Sequence, residues 1–397
     1  MVDYARQGHR VLSRPHWLDH AIPSRFVAVP RVLYLTDLSS SNKFGSMEEQ
    51  IFELAKAFDA RGGLFLPIFG GEPGATVRRM YADHRLPVEG LDLQRVSLTT
   101  LGALLRLITA HEIDVIHWNF YSPINSYVWF LSVLRPSLAQ FRTDHNSRWL
   151  PRDRPRGGAK RFLKRAIFRK YRRVFGISEF VVSAMRAEGV WHDVARCTYF
   201  VNTTRFAPDA RARHATRSEY SAESKFVVLF VGQLIREKGA DVALRALQAL
   251  PADVALWLVG DGPYRASLTE LAASLGVSDR IRFFGEQWRV ETFMQAADCL
   301  VCPSVWDEAA GLVNIEALAA GLPVIASRVG GIPELIQDGE TGHLFPPGDS
   351  GALAQHIGRL RNDPALAARL GRAAREDACA RFSIEQRIPD YVVAYDA

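Results

Sequence analysis

The sequence has no long hydrophobic run, and this absence restricts what the protein can be. None of its apolar runs approaches the roughly 20 residues that a membrane-spanning helix needs. The opening segment, MVDYARQGHRVLSRPHWLDH, is polar and interrupted by charges, so it lacks the apolar centre of a secretory signal. These two observations predict a cytoplasmic protein.

Cysteines and metal-ligand motifs are also scarce. The chain has 4 cysteines, and two of them, Cys299 and Cys302, form a single CxxC pair in DCLVCPS, which has the composition of a buried strand. Without a second CxxC, we interpret the pair as small core residues and not as a zinc or redox site. No two Asp are separated by one residue, and no His/Asp/Glu cluster has metal-ligand spacing, so we expect no metal site. No GxGxxG follows the first predicted strand of either half, which argues against a dehydrogenase.

Size and charge indicate two domains. The chain has 397 residues with 48% hydrophobic content, which is more than one core usually accommodates. Residues 1–221 contain 33 Lys and Arg against 20 Asp and Glu, whereas residues 222–380 contain 14 against 20. This uneven charge predicts two units with different roles.

Strand-like and helix-like segments alternate along both halves. VLYLTDL (32–38) is apolar and β-rich, and a helical pattern, MEEQIFELAKAFDARG, follows it after a Gly/Ser turn. Further strands are predicted in the first half at 63–69, 113–120, 139–143 and 173–178, and in the second half at KFVVLFVG, ADVALWLVGDG, RIRFFG, DCLVCPS and LPVIAS. Such alternation is typical of βαβ units. We therefore predict an α/β protein with two Rossmann-like, doubly wound domains that face each other across a cleft.

The domain boundaries follow from the same pattern. The predicted N-terminal domain covers residues 1–208, with residues 1–30 as an extension, and the predicted C-terminal domain covers residues 222–380. The segment 203–224 is polar and lacks clear periodicity, so we interpret it as the interdomain connection. Residues 381–397 are predicted to form a helix that packs back on the N-terminal domain.

Two carboxylates stand out in PSVWDEAAGLVNIEALAAGLPVIAS (303–327). Glu308 and Glu316 lie in a stretch that otherwise has the composition of a core, where an unpaired carboxylate is costly. Gly311 interrupts the run, which predicts a loop followed by a helix that begins near Leu312.

The free N–H groups at this helix start would face the same crevice as both carboxylates. Helix N-termini bind phosphate and carboxylates accept hydrogen bonds from hydroxyl groups, so the arrangement suits a nucleotide sugar. The alternative is that Glu308 is a surface loop residue and Glu316 a solvated helix residue.

This segment resembles the signature of the retaining glycosyltransferases of family 4, which have the two-domain GT-B fold and are also called glycosyl transferases group 1. In that signature two Glu are separated by seven residues and followed by Gly-x-Pro-Val, and here it reads E-AAGLVNI-E-ALAAGLPV. The resemblance implies that Glu308 contacts hydroxyl groups of the transferred sugar and that Glu316 binds the nucleotide ribose. It also implies that the amides of Gly311, Leu312 and Val313 hold the diphosphate or the sugar.

VGQLIREKGAD (231–241) is similar to the strand-end motif of the same family, Gly-Arg-Leu…Lys-Gly. The similarity implies that Gly232 and Lys238 lie at the donor site and that Lys238 neutralises the diphosphate leaving group. Gln233 stands where the family usually has Arg, and Arg236 is the candidate replacement for that cation.

Five further segments correspond to motifs of the family. The matches imply that Gly260, in LVGDGP, forms the donor-site turn and that the backbone near Phe284, in IRFFGE, contacts the base. RTDHNS resembles the strand-end Asp-His motif, which implies that His145 reaches the transferred sugar. In SSSNKFGSMEEQ, Gly45 is the one remaining glycine of a loop that lets the backbone approach donor phosphate. Glu334, in SRVGGIPELIQDGETGHLFPPGD, is expected to be structural.

The resemblance implies a retaining, metal-independent glycosyltransferase with Glu308, Lys238 and His145 as its catalytic groups. It also implies that the C-terminal domain binds the nucleotide sugar and that the N-terminal domain binds the acceptor. The enzyme would move a hexose from a nucleoside-diphosphate sugar, UDP- or GDP-linked, to a glycan, lipid-linked or small-molecule acceptor in polysaccharide, glycolipid or natural-product glycoside biosynthesis. We expect no cofactor beyond this co-substrate. Two alternatives stay open: a sugar-nucleotide epimerase or phosphorylase of the same architecture, and a non-catalytic sugar-nucleotide-binding protein.

A basic stretch, 141–175, carries 13 Lys and Arg and two Asp. From Lys160 onward its pattern predicts a helix with apolar residues among the cations. A basic amphipathic helix at 160–175 can place a protein peripherally on the anionic inner face of a membrane, or it can bind an anionic acceptor. It can equally pack on the sheet with a solvated basic face. No nucleic-acid-binding motif is present, so we expect no nucleic-acid partner.

Overall fold

The computed structural model describes residues 29–38, 45–147, 165–190 and 193–396. The predicted N-terminal extension therefore lies almost entirely outside the described residues, as do residues 160–164 of the predicted basic helix. No helix within the described ranges combines the length and the apolar composition that crossing a bilayer would require.

The N-terminal half of the described chain forms a parallel sheet of seven strands covered by helices. The strand order is β3-β2-β1-β4-β5-β6-β7. The strands are β1 (Arg31–Thr36), β2 (Leu64–Phe69), β3 (Glu89–Gly90), β4 (Val115–Asn119), β5 (Ala139–Asp144), β6 (Arg173–Gly176) and β7 (Val194–Arg196). The helices are α1 (Ser46–Asp59), α2 (Ala75–Asp83), α3 (Leu98–Ala110), α4 (Ser126–Leu134) and α5 (Glu179–Ala187).

The C-terminal half forms a second parallel sheet, of six strands. Its order is β10-β9-β8-β11-β12-β13. The strands are β8 (Phe226–Val231), β9 (Val254–Val259), β10 (Ile281–Gly285), β11 (Cys299–Cys302), β12 (Val324–Ser327) and β13 (Gly342–Phe345). The helices are α6 (Ala210–Glu219), α7 (Ala240–Gln248), α8 (Arg265–Ser274), α9 (Val290–Ala296), α10 (Leu312–Ala319), α11 (Ser350–Asn362), α12 (Pro364–Phe382) and α13 (Ile384–Asp396).

The prediction of two doubly wound α/β domains is confirmed. Central strands such as β4 and β11 are buried along their whole length, which explains why they appear in the sequence as continuous apolar runs. Three strands were not predicted, namely β3, β7 and β13. The first two are short and partly exposed, and β13 begins with Gly and His and follows a turn-rich segment.

The segment after residue 208 is not an irregular connection, as its lack of periodicity suggested, because residues 210–219 form helix α6. The carboxylate of Asp209 caps this helix by accepting from the amides of Arg211 and Ala212 at 2.8 and 3.0 Å. Arg213 pairs with Asp298 at 2.5 Å, and Arg217 pairs with the same carboxylate. Charge pairs therefore hold much of this helix against the second domain, which explains the absence of an apolar stripe.

The basic segment does not continue as a helix to residue 175. In its described part only residues 165–168 are helical, and the chain enters the sheet as β6 at Arg173. Phe168 and Tyr171 are buried in the core, so these apolar side chains pack inward. The prediction of a helix through residue 175 is wrong because the last part of the segment belongs to a strand.

The last helix, α13, packs on the first sheet. The hydroxyl group of Tyr395 contacts Nδ1 of the buried His117, whose Nε2 lies 2.7 Å from Oγ1 of Thr143. The chain crosses between the domains twice, near residue 202 and near residue 383. The two crossings lie side by side, since the amide of Val201 donates to the carbonyl oxygen of Phe382 at 2.9 Å.

Candidate functional site

Sheet topology brings several polar residues to one crevice. In each sheet the direction in which successive strands are added reverses once. This happens between β1 and β4 in the first sheet and between β8 and β11 in the second. Ligands of open α/β sheets bind outside the carboxyl ends of the strands at this point. Lys238 and Glu308 lie in the segments that follow β8 and β11, and His145 directly follows β5.

A tight turn after β8 places Lys238 beside the end of β11. Arg236–Lys238 is a single 3₁₀ turn, and Gly239 after it has a φ of 68°. A Cβ atom at Gly239 would collide with the carbonyl oxygen of Pro303, so both the backbone conformation and the available space require glycine. Because of this close approach, Nζ of Lys238 lies 2.6 Å from Oε1 of Glu308.

Glu308 is buried and ionised. It is 3% exposed, and its Oε1 accepts from Lys238 at 2.6 Å, from Oγ of Ser304 at 2.8 Å and from Nε1 of Trp306 at 3.0 Å. Burial alone would raise the pKa of this carboxyl group, but the charge of Lys238 and these hydrogen bonds outweigh burial and hold the pKa below its ordinary value. The alternative that Glu308 is a surface loop residue is therefore wrong.

The predicted helix start at Leu312 is confirmed. Gly311 precedes α10 with a φ of 80°, in the left-handed region that favours glycine. Leu312 and Val313 belong to the first turn, so their amides have no intrahelical acceptor and are available to a ligand. Gly311 follows the Glu308 loop directly, so the free amides and the carboxylate lie at the same junction.

Glu316 connects the two domains. It is 5% exposed, which excludes a solvated helix residue, and its Oε1 accepts from Oγ of Ser46 at the start of α1. Burial raises the pKa of the Glu316 carboxyl group to about 7, although the Ser46 hydrogen bond and the charge of Arg205 oppose this shift. Gly45 is the N-cap residue of α1, and its amide donates to the carboxylate of Glu48 at 2.9 Å.

His145 is held between two aromatic rings. Its Nδ1 lies 2.6 Å from the hydroxyl oxygen of Tyr199, and its Nε2 lies 2.9 Å from Oδ1 of Asn119. Phe120 stacks on the imidazole at 4.2 Å and has a φ of 64°, which is unusual for a residue other than glycine. Burial lowers the pKa of His145 to about 3, so the imidazole is neutral.

The loop that carries His145 touches the loop that carries Glu308. Oγ of Ser147 accepts from the amide of Ala309 at 3.0 Å, and Oγ of Ser178 donates to the carbonyl oxygen of Ala309 at 2.5 Å. Burial raises the pKa of Tyr199, and the negative charges of Asp144 and Glu308 raise it further. Glu308, Lys238 and His145 therefore lie around one crevice between the domains.

The remaining candidate donor-site residues lie around the ends of β8, β9 and β10. The amide of Gly232 donates to Val259 at 3.0 Å, and the amide of Gly260 donates to Gly285 at 2.7 Å, so these turns are fixed by backbone contacts. Gln233 and Arg236 are exposed. Phe284 is half-buried in a cluster of aromatic rings.

Sequence reasoning did not identify several residues that shape this site. Ser304 and Trp306 lie inside the same motif as Glu308, so their short spacing was an available signal. Asn119 is the last residue of β4. Polar residues at the carboxyl ends of parallel strands are candidates for ligand binding, so this position could have been identified from the sequence. Ser46 and Tyr199 are far in sequence from the groups they contact, and no local pattern indicates those contacts.

A charged group also joins the domains next to the crevice. Arg205 pairs with Glu49 of α1 at 2.9 Å and with Glu291 of α9 at 3.0 Å. These carboxylates belong to different domains, so one guanidinium group bridges them. In the part of the chain that the structure describes, no group of three or more His, Cys, Asp or Glu is positioned to hold a metal ion.

Both halves of the chain match known family models. Residues 213–377 match the model described as Glycosyl transferases group 1, and residues 45–199 match the Glycosyl transferase 4-like domain. A GDP-mannose-dependent alpha-(1-6)-phosphatidylinositol monomannoside mannosyltransferase of Mycolicibacterium smegmatis is 37% identical over 186 residues, which is 44% of this chain and 49% of that protein. The D-inositol 3-phosphate glycosyltransferase of Salinispora tropica is 28% identical over 403 residues, which is 91% of this chain and 80% of that protein. The chain thus spans about half the length of the first of these curated relatives.

Solved structures share the fold over nearly the whole chain. The Anabaena protein HepE in complex with UDP superimposes with a TM-score of 0.77 at 23% identity, over 92% of this chain and 99% of that one. Sucrose-phosphate synthase of Thermosynechococcus elongatus gives a TM-score of 0.75 at 23% identity, over 92% and 98%. From the matches to both halves and from the shared two-domain fold, we conclude that this chain belongs to the glycosyl transferases group 1 family and has the GT-B fold.

Proposed function

We propose that the protein is a retaining, metal-independent glycosyltransferase that moves a hexose from a UDP- or GDP-linked donor to an acceptor hydroxyl group. The donor classes follow from two similar proteins, since HepE was crystallised with UDP and the mycobacterial relative is GDP-mannose-dependent. The name of the mycobacterial relative points to a lipid-linked acceptor and that of the Salinispora relative to a small molecule, inositol 3-phosphate, so glycan, lipid-linked and small-molecule acceptors are all compared in the test.

The observation that carries this proposal is the Lys238–Glu308 pair beside the free amides of α10. Lys238 is the cation that would stabilise the departing diphosphate, with help from the amides of Leu312 and Val313. Three donors converge on Oε1 of Glu308, so Oε2 is the oxygen that can accept from a sugar hydroxyl group. Glu308 is buried and the Lys238 side chain is 27% exposed, so water screens the charges of this preorganised pair only in part.

Glu316 would bind the ribose of the nucleotide. In the present arrangement its carboxyl group is engaged by Ser46, so a ribose hydroxyl group has to replace that contact. Gly45 and Ser46 at the start of α1 would then lie next to the donor, which agrees with the expectation that backbone near Gly45 approaches donor phosphate.

His145 would orient the transferred sugar. Its low pKa excludes an imidazolium ion at neutral pH, so it acts as a neutral hydrogen-bonding group. Both ring nitrogens have partners, Tyr199 and Asn119, and one of these contacts has to be exchanged for a sugar hydroxyl group.

No side chain is assigned as a nucleophile. The acceptor oxygen bonds to the anomeric carbon on the face that the diphosphate leaves, and the acceptor proton passes to the departing phosphate oxygen. Contact between the two domains excludes water, which limits hydrolysis of the donor.

The first experiment compares Glu308→Ala and Lys238→Ala with the wild-type protein. A thermal-shift screen of UDP-, GDP-, ADP- and dTDP-sugars identifies the donor, and transfer is then measured on glycan, lipid-linked and small-molecule acceptors. Each substitution should lower kcat by about 100- to 1,000-fold, because each removes a group that stabilises charge in the transition state. Glu270→Ala is the control for Glu308→Ala, and Lys225→Ala is the control for Lys238→Ala. Both control residues lie away from the crevice, so both variants should retain the wild-type rate.

Metal independence and retention of the anomeric configuration are tested by separate measurements. Activity should survive EDTA, and the product anomer should match the donor anomer by NMR. Transfer at the wild-type rate by both variants would contradict the site assignment. Turnover that needs inorganic phosphate, or that changes the sugar nucleotide without an acceptor, would indicate a phosphorylase or epimerase instead.

A further inference from the structure

The outer face of helix α4 is apolar and exposed. The sequence of α4 is SYVWFLSVL, which contains no charged residue. One side packs on the sheet through Tyr127, Val128 and Leu131. A surface helix normally presents polar residues on its other side. Here that side presents four large apolar side chains, which are those of Trp129, Phe130, Val133 and Leu134. The side chain of Val133 is 74% exposed and that of Trp129 is 40% exposed.

Cations flank this face. Nζ of Lys170 lies 4.8 Å from the centroid of the Trp129 ring, which places the segment after residue 165 directly beside α4. The hydroxyl group of Tyr171 donates to the carbonyl oxygen of Pro123 at 3.2 Å and fixes that position. Arg165, Arg169 and Arg172 of the same segment are exposed, and so is Arg135 at the opposite end of α4.

Acidic residues are absent from both flanking segments. Neither 121–143 nor 165–178 contains Asp or Glu. The surface therefore combines an aromatic and aliphatic strip with charge of one sign. Scattered exposed apolar side chains need no explanation, but a contiguous patch with this charge pattern indicates a binding surface.

The patch lies close to the N-terminal-domain side of the crevice. Helix α4 begins seven residues after Asn119, the last residue of β4, whose side chain contacts His145. Phe120, which stacks on His145, and the exposed Ile124 occupy the connection. A ligand seated on α4 therefore lies near the mouth of the crevice on the N-terminal domain.

We propose that the outer face of α4 and the adjacent cations form a docking surface for an anionic lipid bilayer. Trp129, Phe130 and Val133 would enter the interface between head groups and acyl chains, and the cations would contact lipid phosphates. Charge complementarity selects this occupant. A second copy of the chain would bring two sets of cations together, which is unfavourable. The docking does not depend on the proposed transfer reaction.

The experiment measures co-sedimentation of the full chain with vesicles. Phosphatidylcholine vesicles are compared with vesicles that also contain phosphatidylglycerol, at low and at high salt. Wild-type protein should bind the anionic vesicles at low salt and bind less at high salt. Trp129→Ser, Val133→Glu and Lys170→Glu should each lower the partition coefficient about tenfold, since each removes insertion or attraction.

Two matched control variants distinguish binding through this surface from non-specific binding of the protein to vesicles. Trp288→Ser removes an exposed tryptophan, and Arg372→Glu reverses an exposed cation, both in the second domain, so vesicle binding should be unchanged. Donor-induced thermal shifts of all variants show whether they are folded and test the donor site separately. Absence of binding to anionic vesicles, or equal binding by Val133→Glu, would overturn the proposal. Vesicle-independent dimerisation that Val133→Glu abolishes would assign the face to a second copy instead.

Discussion

The Glu316 carboxyl group depends on both domains for its environment. It belongs to α10 of the second domain and accepts from Ser46 of the first. Because burial raises its pKa from 4.5 to about 7, the folded protein binds more protons than the unfolded chain between these pH values. Its contribution to stability is therefore highest below the unfolded pKa, and it falls as the pH rises through the folded pKa.

Glu316→Gln should make the protein more heat-stable at pH 8 but not at pH 4.5. Glutamine cannot ionise, so the substitution removes the unfavourable buried charge and can still accept from Ser46. We expect a rise in Tm of about 2 to 4 °C at pH 8, corresponding to roughly 1 kcal/mol. Differential scanning calorimetry at both pH values checks this. Equal shifts at the two pH values would mean that ionisation of Glu316 is not the cause.

Local sequence motifs predicted some contacts of the site and could not predict others. Resemblance to family motifs placed Lys238 and Glu308 at one donor site, and the structure agrees because both residues follow the carboxyl ends of the neighbouring strands β8 and β11. Ser46 and Glu316 are 270 residues apart, and their contact depends on how two domains meet. A pattern within one segment carries no information about such a contact.

At the scale of elements, the start of helix α5 depends on the opposite domain. The amides of Glu179 and Phe180 donate to the two carboxylate oxygens of Glu334 at 2.8 and 2.7 Å. Ser178 also caps this helix, by accepting from the amide of Val181 at 3.2 Å. Glu334, expected to be structural, thus caps a helix across the interface.

Glu334→Ala should loosen the first turn of α5 without unfolding the helix. Loss of a capping carboxylate costs about 1 kcal/mol, and the Ser178 cap remains. Hydrogen–deuterium exchange should increase in peptides that cover residues 179–187, by about fivefold in rate. Glu340→Ala, a nearby exposed glutamate, is the control and should leave exchange in this helix unchanged. Unchanged exchange in Glu334→Ala would contradict the capping role.

Some strands and helices could be predicted from the sequence more readily than others. Buried strands such as β4 and β11 appear as apolar runs and were predicted, whereas the equally buried β13 was missed because it begins with Gly and His. The edge strand β3 has only two residues, too few to produce a pattern. Helix α6 is polar because Arg213 and Arg217 hold it through Asp298, so a search for an apolar stripe missed it.

At the scale of the whole molecule, Arg205 holds α1 and α9 together. Glu49 and Glu291 are both largely buried. Without Arg205, Glu49 would lose its cation, and Glu291 would keep only the largely exposed Arg289 at 3.3 Å. Two carboxylates with too little positive charge beside them favour separation of the elements that carry them. The contact therefore favours a closed arrangement of the two domains.

Arg205→Ala should open the crevice and weaken donor binding. We expect a larger radius of gyration by small-angle X-ray scattering, a Tm lower by about 4 °C, and a KM for the donor raised about tenfold. Arg211→Ala, an exposed arginine in α6, is the matched control for all three measurements. An unchanged radius of gyration in Arg205→Ala would show that the bridge does not set the domain arrangement.

The double crossing between the domains has a mechanical consequence. A single connecting strand would let one lobe swivel freely about the other. Here the amide of Val201 donates to the carbonyl oxygen of Phe382, and the two crossing segments form a parallel bridge. We therefore expect the two domains to move apart mainly by bending at this double connection, with less twisting than a single connecting segment would allow.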